Sequence, residues 1–394
     1  LSLFFVFNFI NRHLSDIFLI ATLACCLMDY QRLYDSLKNH TRLIISIIMF
    51  TIWVSFIAIY HDHPVKFYEW NYLYISPMTA VNNYSKFLLL LPLLMISVKE
   101  KHLIRIIYMC TIGALLHVFL AFMQFHFHSL PRYPGTSSIA NTYGSMCATF
   151  SIISVYYYFT KKNKSVYLLF SAVIFFGILI LTQTRGPVIG IALGLTYLII
   201  AMRSRVLLTF ACICLLSLIV IPNPLAERLK ETSSIFLGTK STIKDKQLRT
   251  GELFDIQSRM FYYRHGIQDL KKHYFLGVGP QHLGHRLRQV FRDEVHYQNR
   301  DGSQRTIYVE RHLHNEFLDI SVKFGLLGLL LLLLIYYSLY KASNNDNRVL
   351  MNLILIMLLA TQLTQCHFLH QQPTLFFITL LFLNVRPKMI KDSN

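Results

Sequence analysis

The chain reads as an all-α, polytopic membrane protein, and three observations carry that reading. Of its 394 residues, 54% are hydrophobic and only 15% are charged, with a mean hydropathy of +0.43, too apolar for a soluble enzyme of this size. Apolar runs of about 15 to 22 residues recur, each near the ~20 helical residues that cross a hydrocarbon core. Lys and Arg gather in short loops between alternate runs, which is the pattern that sets membrane topology. The spans are helices and not barrel strands, because a helix satisfies its own backbone inside lipid.

Taken in order, the runs predict about twelve transmembrane helices: residues 1–10, 14–28, 43–60, 85–98, 103–125, 139–160, 166–181, 187–202, 206–221, 320–340, 349–364 and 373–385. The first, LSLFFVFNFI, begins at Leu1 without Met and is too short to span alone, so it reads as the cut end of a helix. Arg32, Lys38 and Arg42, then Lys99, Lys101 and Arg105, Lys161, Lys162 and Lys164, Arg203 and Arg205, Lys341 and Arg348, and the tail Arg386, Lys388 and Lys391 mark one face as cytoplasmic. The opposite connections are external or periplasmic: 61–86, 127–144, the turn TQTRGP at 182–187, the long insert 222–319, and QCHFLHQQP at 365–373. Three parts follow: helices in 1–221, a mostly helical external loop domain in 222–319, and helices plus a cytoplasmic tail in 320–394. The insert opens on Pro222 and Pro224 and holds a helical segment near Ser258 to Lys272.

The formal charge of +18 would suggest nucleic acid in a soluble protein; here the cations serve topology, and no nucleic-acid partner is expected. The seven Cys form no CxxC pair and lie mostly in or beside apolar runs, as small core residues do. GVGPQHLG at 277–284 lacks the GxGxxG spacing and follows no strand, so a nucleotide fold is not indicated.

Chemistry is expected where polar residues meet membrane boundaries. RHLHNEFLDISVKFGLLG, from Arg311 to Gly328, sets titratable side chains against the start of a long apolar helix. Arg185 sits between two helices, with Thr182, Gln183 and Thr184 as further donors; it is either a snorkelling anchor or a phosphate clamp. Arg259 opens the helical segment of the insert, where a helix N-terminus favours an anion; Arg264 follows as a second contact or a solvated charge. His312 and His314 form an HxH pair. Zinc wants three or four ligands, and although His367 and His370 lie on another loop of the same side, the preferred role is a general base, with Asn315 or Glu316 orienting the ring. Lys86, in NNYSK, is either a second phosphate contact or an anchor.

These motifs in this order, TQTRG after an apolar helix, SR opening a helix in a large external loop, GVG downstream, and HLHNEFLD running into a GLLG-containing helix, resemble the O-antigen ligases of the bacterial inner membrane, a superfamily shared with O-antigen polymerases. The resemblance implies a GT-C-like fold and a metal-independent, inverting glycosyltransferase without cofactor. Such an enzyme moves O-antigen glycan from undecaprenyl pyrophosphate to a sugar hydroxyl of the lipid A core at the periplasmic face. It further carries over the positions of Arg185, Arg259, His314 and Lys86; Arg185, Arg259 and His314 are expected to be catalytic, and Lys86, with the neighbouring candidates Arg264, His312, Asn315 and Gln183, to bind substrate. An O-antigen polymerase is the nearest rival. A lipid-linked sugar transporter is the rival of another class, and it would need charged residues at mid-membrane depth rather than clustered at one face.

Overall fold

The structure is a computed structural model and describes residues 1–61, 76–96, 100–125, 140–160, 165–209, 211–212, 251–294, 312–343, 347–368 and 370–385. Expectations for 222–250, 295–311 and the tail after 385, including Arg311, lie outside the described residues. Every regular element among those described is helical. They are α1 (Ser2–Asn8), α2 (Arg12–Met28), α3 (Tyr30–Asn39), α4 (Thr41–Tyr60), α5 (Pro77–Tyr84), α6 (Lys86–Leu89), a 3₁₀ turn at Leu91–Met95, α7 (Glu100–Phe125), α8 (Ala140–Thr160), α9 (Val166–Thr182), α10 (Arg185–Met202), α11 (Gly251–Lys272), α12 (Leu283–Glu294), α13 (Glu316–Ala342), α14 (Arg348–Gln362) and α15 (Gln371–Leu383).

Helix α8 is the axis of the bundle, with α9, α10, α14 and α15 packed around it. Its sequence is less apolar than its neighbours', yet residues from Thr142 to Val155 are all buried. The hydroxyls explain much of the tolerance: Ser145, Thr149 and Ser154 each donate to the carbonyl one turn back, at 2.8, 2.8 and 2.7 Å, so these three hydroxyls need no water. Phe150 of α8 meets Phe175 of α9, Phe376 of α15 and Phe5 of α1 at ring separations of 5.5, 5.4 and 6.1 Å. These contacts form the centre of the core. The outward faces carry Ile45, Ile52, Ile59, Leu330 and Tyr337, all exposed, as lipid contact requires.

Among the described residues, four helices are long and apolar enough to cross a membrane, α4, α7, α10 and α13, or five if the bent pair α2 and α3 forms one span. Against the twelve expected, α9, α14 and α15 are apolar but shorter, and most of 206–221 lies outside the described residues. The expected helix at 85–98 is instead the short α6 followed by the 3₁₀ turn, broken where Pro92 removes a backbone donor. The expected loop around Arg32 and Lys38 is a helix: Asp29 caps Arg32 N at 3.2 Å, and α3 leaves α2 at 93° with Tyr30 and Tyr34 exposed.

Helix α13 is broken within its length. Gly325 has φ 72°, ψ 176°, a backbone state closed to other residues at reasonable cost. Into this break fits the 274–279 segment: Val278 N donates to Val322 O at 2.8 Å, Gly279 N to Lys323 O at 3.1 Å, and Leu326 N to Tyr274 O at 2.8 Å. The Trp53 indole of α4 donates to Phe324 O at 2.8 Å. Backbone groups released by the kink are thereby satisfied by protein, the condition for irregular chain in an apolar helix. A Cβ at Gly325 would lie 1.8 Å from Phe275 O, and one at Gly277 2.5 Å from Lys323 O, so GVG and GLLG are two halves of one joint.

Candidate functional site

The ends of α8, α10, α11, α13, α14 and α15 meet at one end of the bundle, and the polar residues singled out in the sequence meet there with them. At the TQTRG turn, Gln183 closes α9 in the left-handed conformation and Arg185 is the first residue of α10. Thr182 and Thr184 pair with each other. Both are fully buried, 2.9 Å apart through their hydroxyls, and pack where a Cβ on Gly144 of α8 would be. Arg185 and Gln183 are half-buried, and the N-terminal end of the α10 dipole adds positive potential beside the guanidinium.

Thr364, at the exit of α14, ties this turn to the insert. Its hydroxyl lies 1.9 Å from where a Cβ on Gly186 would be, so the α10 start sits directly on it. Its carbonyl accepts from Arg259 Nη1 of α11 at 3.3 Å. Thr364 thus meets both the start of α10, at the residue after Arg185, and the Arg259 guanidinium of α11.

Arg259 stands one turn before Tyr262 and Tyr263 on α11, and these hold the HLHN segment. The Tyr262 ring stacks on His314 at 5.9 Å, and the Tyr263 hydroxyl donates to His314 O at 3.4 Å. His314 has φ 55°, strained for a non-glycine residue, and is half-buried. His312 lies 4.4 Å from it, ring to ring, and meets His370 edge-on at 5.9 Å. His312 is held well below its ordinary pKa, first by burial and then by the neighbouring His314, His370, Lys323 and Arg259, so it stays neutral near pH 7. His367 is lowered to about 3 by burial and by His370, and its ring pairs with Thr361 Oγ1 at 2.8 Å.

The HLHN turn is anchored from below by α13. Asp319 Oδ1 accepts from Leu313 N at 3.1 Å, between the two histidines, while Oδ2 pairs with Lys323 at 2.5 Å. All three residues are fully buried. Asn315 is the N-cap of α13, with Oδ1 accepting from Leu318 N at 3.0 Å. It shapes the turn that presents His314, and Glu316 does not orient the ring either. Its carboxylate is fully buried and accepts from Phe368 N at 3.1 Å.

Lys86 is placed differently from either sequence expectation. It is 5% exposed, and its ammonium donates to Phe368 O at 3.2 Å. It holds the 364–370 connection from within rather than reaching headgroups. Arg264 is exposed on α11, five residues past Arg259 and on another face of the helix, and is not drawn into the cluster. Among the described residues no group of three or more His, Cys, Asp or Glu is disposed to hold a metal ion. Sequence reasoning missed Thr364, Gln365 and the clamp on Phe368. The available signal was TQCHFLHQQP itself, a polar, histidine-bearing link between two apolar helices.

This arrangement defines a helical, membrane-embedded protein with a site of two arginines and a histidine cluster at one end of its bundle. Residues 170–333, less than half of the chain, match the model of the O-antigen ligase family. The matched range contains Gln183, Arg185, Arg259, Arg264, His312, His314 and Asn315, but neither Lys86 nor the 364–370 connection. No curated protein gives a significant match to the chain.

Proposed function

We propose that the protein is an O-antigen ligase with a GT-C-like fold, transferring a finished glycan from undecaprenyl pyrophosphate to a sugar hydroxyl of the lipid A core at the periplasmic face of the bacterial inner membrane. The observation that carries this reading is that Thr364 touches both Gly186, next to Arg185 at the start of α10, and Arg259 of α11, with His314 held by the helix that carries Arg259. A lipid diphosphate leaving group needs fixed positive charge where negative charge grows, and two guanidinium forks beside a helix N-terminus supply it.

In the proposed step, the acceptor hydroxyl oxygen attacks the anomeric carbon from the face opposite the diphosphate. The new C–O bond forms as the old one breaks, the bonding pair leaves on the phosphate oxygen, and the hydroxyl proton passes to His314. Single displacement inverts the anomeric configuration. His312, kept neutral, places no extra cation beside that proton's destination.

The test is complementation of a host lacking its O-antigen ligase. Wild type restores a ladder of long lipopolysaccharide chains and His314→Ala does not. Failure to restore it, together with restored chain length in a polymerase-deficient host, transfers the reading to O-antigen polymerase, which uses the same donor and a lipid-linked acceptor.

A further inference from the structure

The 364–370 connection lies between the two arginines and the histidines, yet the proposed reaction assigns it no contact with substrate. Thr364 touches both arginine-bearing helices. Gln365 is 5% exposed, and its side chain joins Asn141, at the start of α8, to His370: Asn141 Nδ2 donates to Gln365 Oε1 at 3.2 Å, and Gln365 Nε2 stands 3.3 Å from His370 Nε2. His370 is half-buried and edge-on to His312 at 5.9 Å. Asn141, Gln365, His370, His312 and His314 therefore form one continuous polar row along the site.

The chemistry of this row differs from that of the arginines. Two primary amides and an imidazole offer donors and acceptors together, where a guanidinium only donates. A phosphate only accepts and is matched by Arg185 and Arg259. A sugar ring hydroxyl both donates and accepts, which is what a carboxamide beside an imidazole satisfies. The row begins one residue from Thr364, whose carbonyl holds Arg259, so the sugar it would meet is the one bonded to the diphosphate.

We infer that Gln365 and His370, with Asn141 orienting the amide, form a subsite for ring hydroxyls of the diphosphate-linked sugar and set which sugar the enzyme accepts there. The inference rests on the glycosyltransferase reading above. With Asn141 holding the Gln365 oxygen and His370 beside its nitrogen, the amide is fixed in orientation, and a hydroxyl of the wrong configuration meets its donors and acceptors out of register.

The experiment uses the full chain in proteoliposomes with core-only lipopolysaccharide as acceptor. Two undecaprenyl-pyrophosphate donors are compared that differ only in the configuration of one ring hydroxyl of the first sugar. Wild type prefers one epimer, and Gln365→Ala and His370→Ala each lower kcat/KM for it by about tenfold, through KM, and bring the two donors to within about threefold of each other. The epimer ratio comes from one preparation at a time, so a variant that folds poorly still reports. A wild type indifferent to the epimers, or variants that keep its ratio, overturn the subsite while leaving the transferase standing. A wild type that transfers neither donor removes the transferase reading and this subsite together.

Discussion

Lys86 and Glu316 hold the two backbone polar groups of one residue: the Lys86 ammonium donates to Phe368 O at 3.2 Å, and the Glu316 carboxyl accepts from Phe368 N at 3.1 Å. Two buried side chains from separate helices thereby pin the connection that carries Thr364, Gln365 and His370. These hydrogen bonds add to the packing of the Phe368 ring on Tyr84 and Phe87, at 5.7 and 5.6 Å.

Removing either side chain leaves a buried backbone group of Phe368 without that partner. Lys86→Met and Glu316→Leu each cost about 2 kcal/mol of stability. Thermal unfolding of the two purified variants measures this. If Lys86 instead contacts substrate, Lys86→Met melts like wild type.

The joint between GVG and the broken helix makes a different prediction. Alanine at Gly325 has to hold φ 72° and place Cβ 1.8 Å from Phe275 O. Strain and overlap together cost on the order of 3 kcal/mol, so Gly325→Ala accumulates poorly and unfolds earlier. Trp53→Phe loses one hydrogen bond to Phe324 O and costs about 1 kcal/mol. Equal melting of Gly325→Ala and wild type in detergent contradicts the joint.

Stability also depends on pH through His367. Unfolded, it takes a proton near the ordinary 6.5; folded, only at about 3. Between those values the unfolded chain binds the extra proton, so stability is present above the upper value and is lost as pH falls through the window, by about 1.4 kcal/mol per unit. His312, also depressed, adds to the same slope. His367→Asn flattens the fall of melting temperature between about pH 6 and pH 4. An unchanged slope shows that other groups govern it.

The two insert arginines separate cleanly. Arg259→Lys keeps the charge but loses the planar fork, and transfer slows by about a hundredfold with the fold intact. Arg264→Ala, on the exposed face, leaves both transfer and stability within about 0.5 kcal/mol of wild type. Transfer rates of the two variants in proteoliposomes decide this, and a large loss at Arg264 places it in the site after all.

Local pattern was enough to find α2, α4, α7, α8, α13 and α15 within a few residues, because apolar runs and helix-breaking residues act on their neighbours in the chain. The arginines and the HLHN pair were legible for the same reason: charge at the end of an apolar run is conspicuous wherever the run goes. The amphipathic α3 escaped because its polar residues read equally well as a cytoplasmic loop, and 85–98 was read as one helix although Pro92 divides it. What tertiary structure alone decided is which way each polar side chain faces. Lys86 finds Phe368 at a separation of 282 positions, Arg259 finds Thr364 across 105, and Gly325 needs its backbone freedom only because 274–279 enters the break. Composition fixes how much of a chain must leave water. Whether a charged residue at its margin meets lipid, substrate or another peptide depends on partners brought near by packing, and helical periodicity holds no record of them.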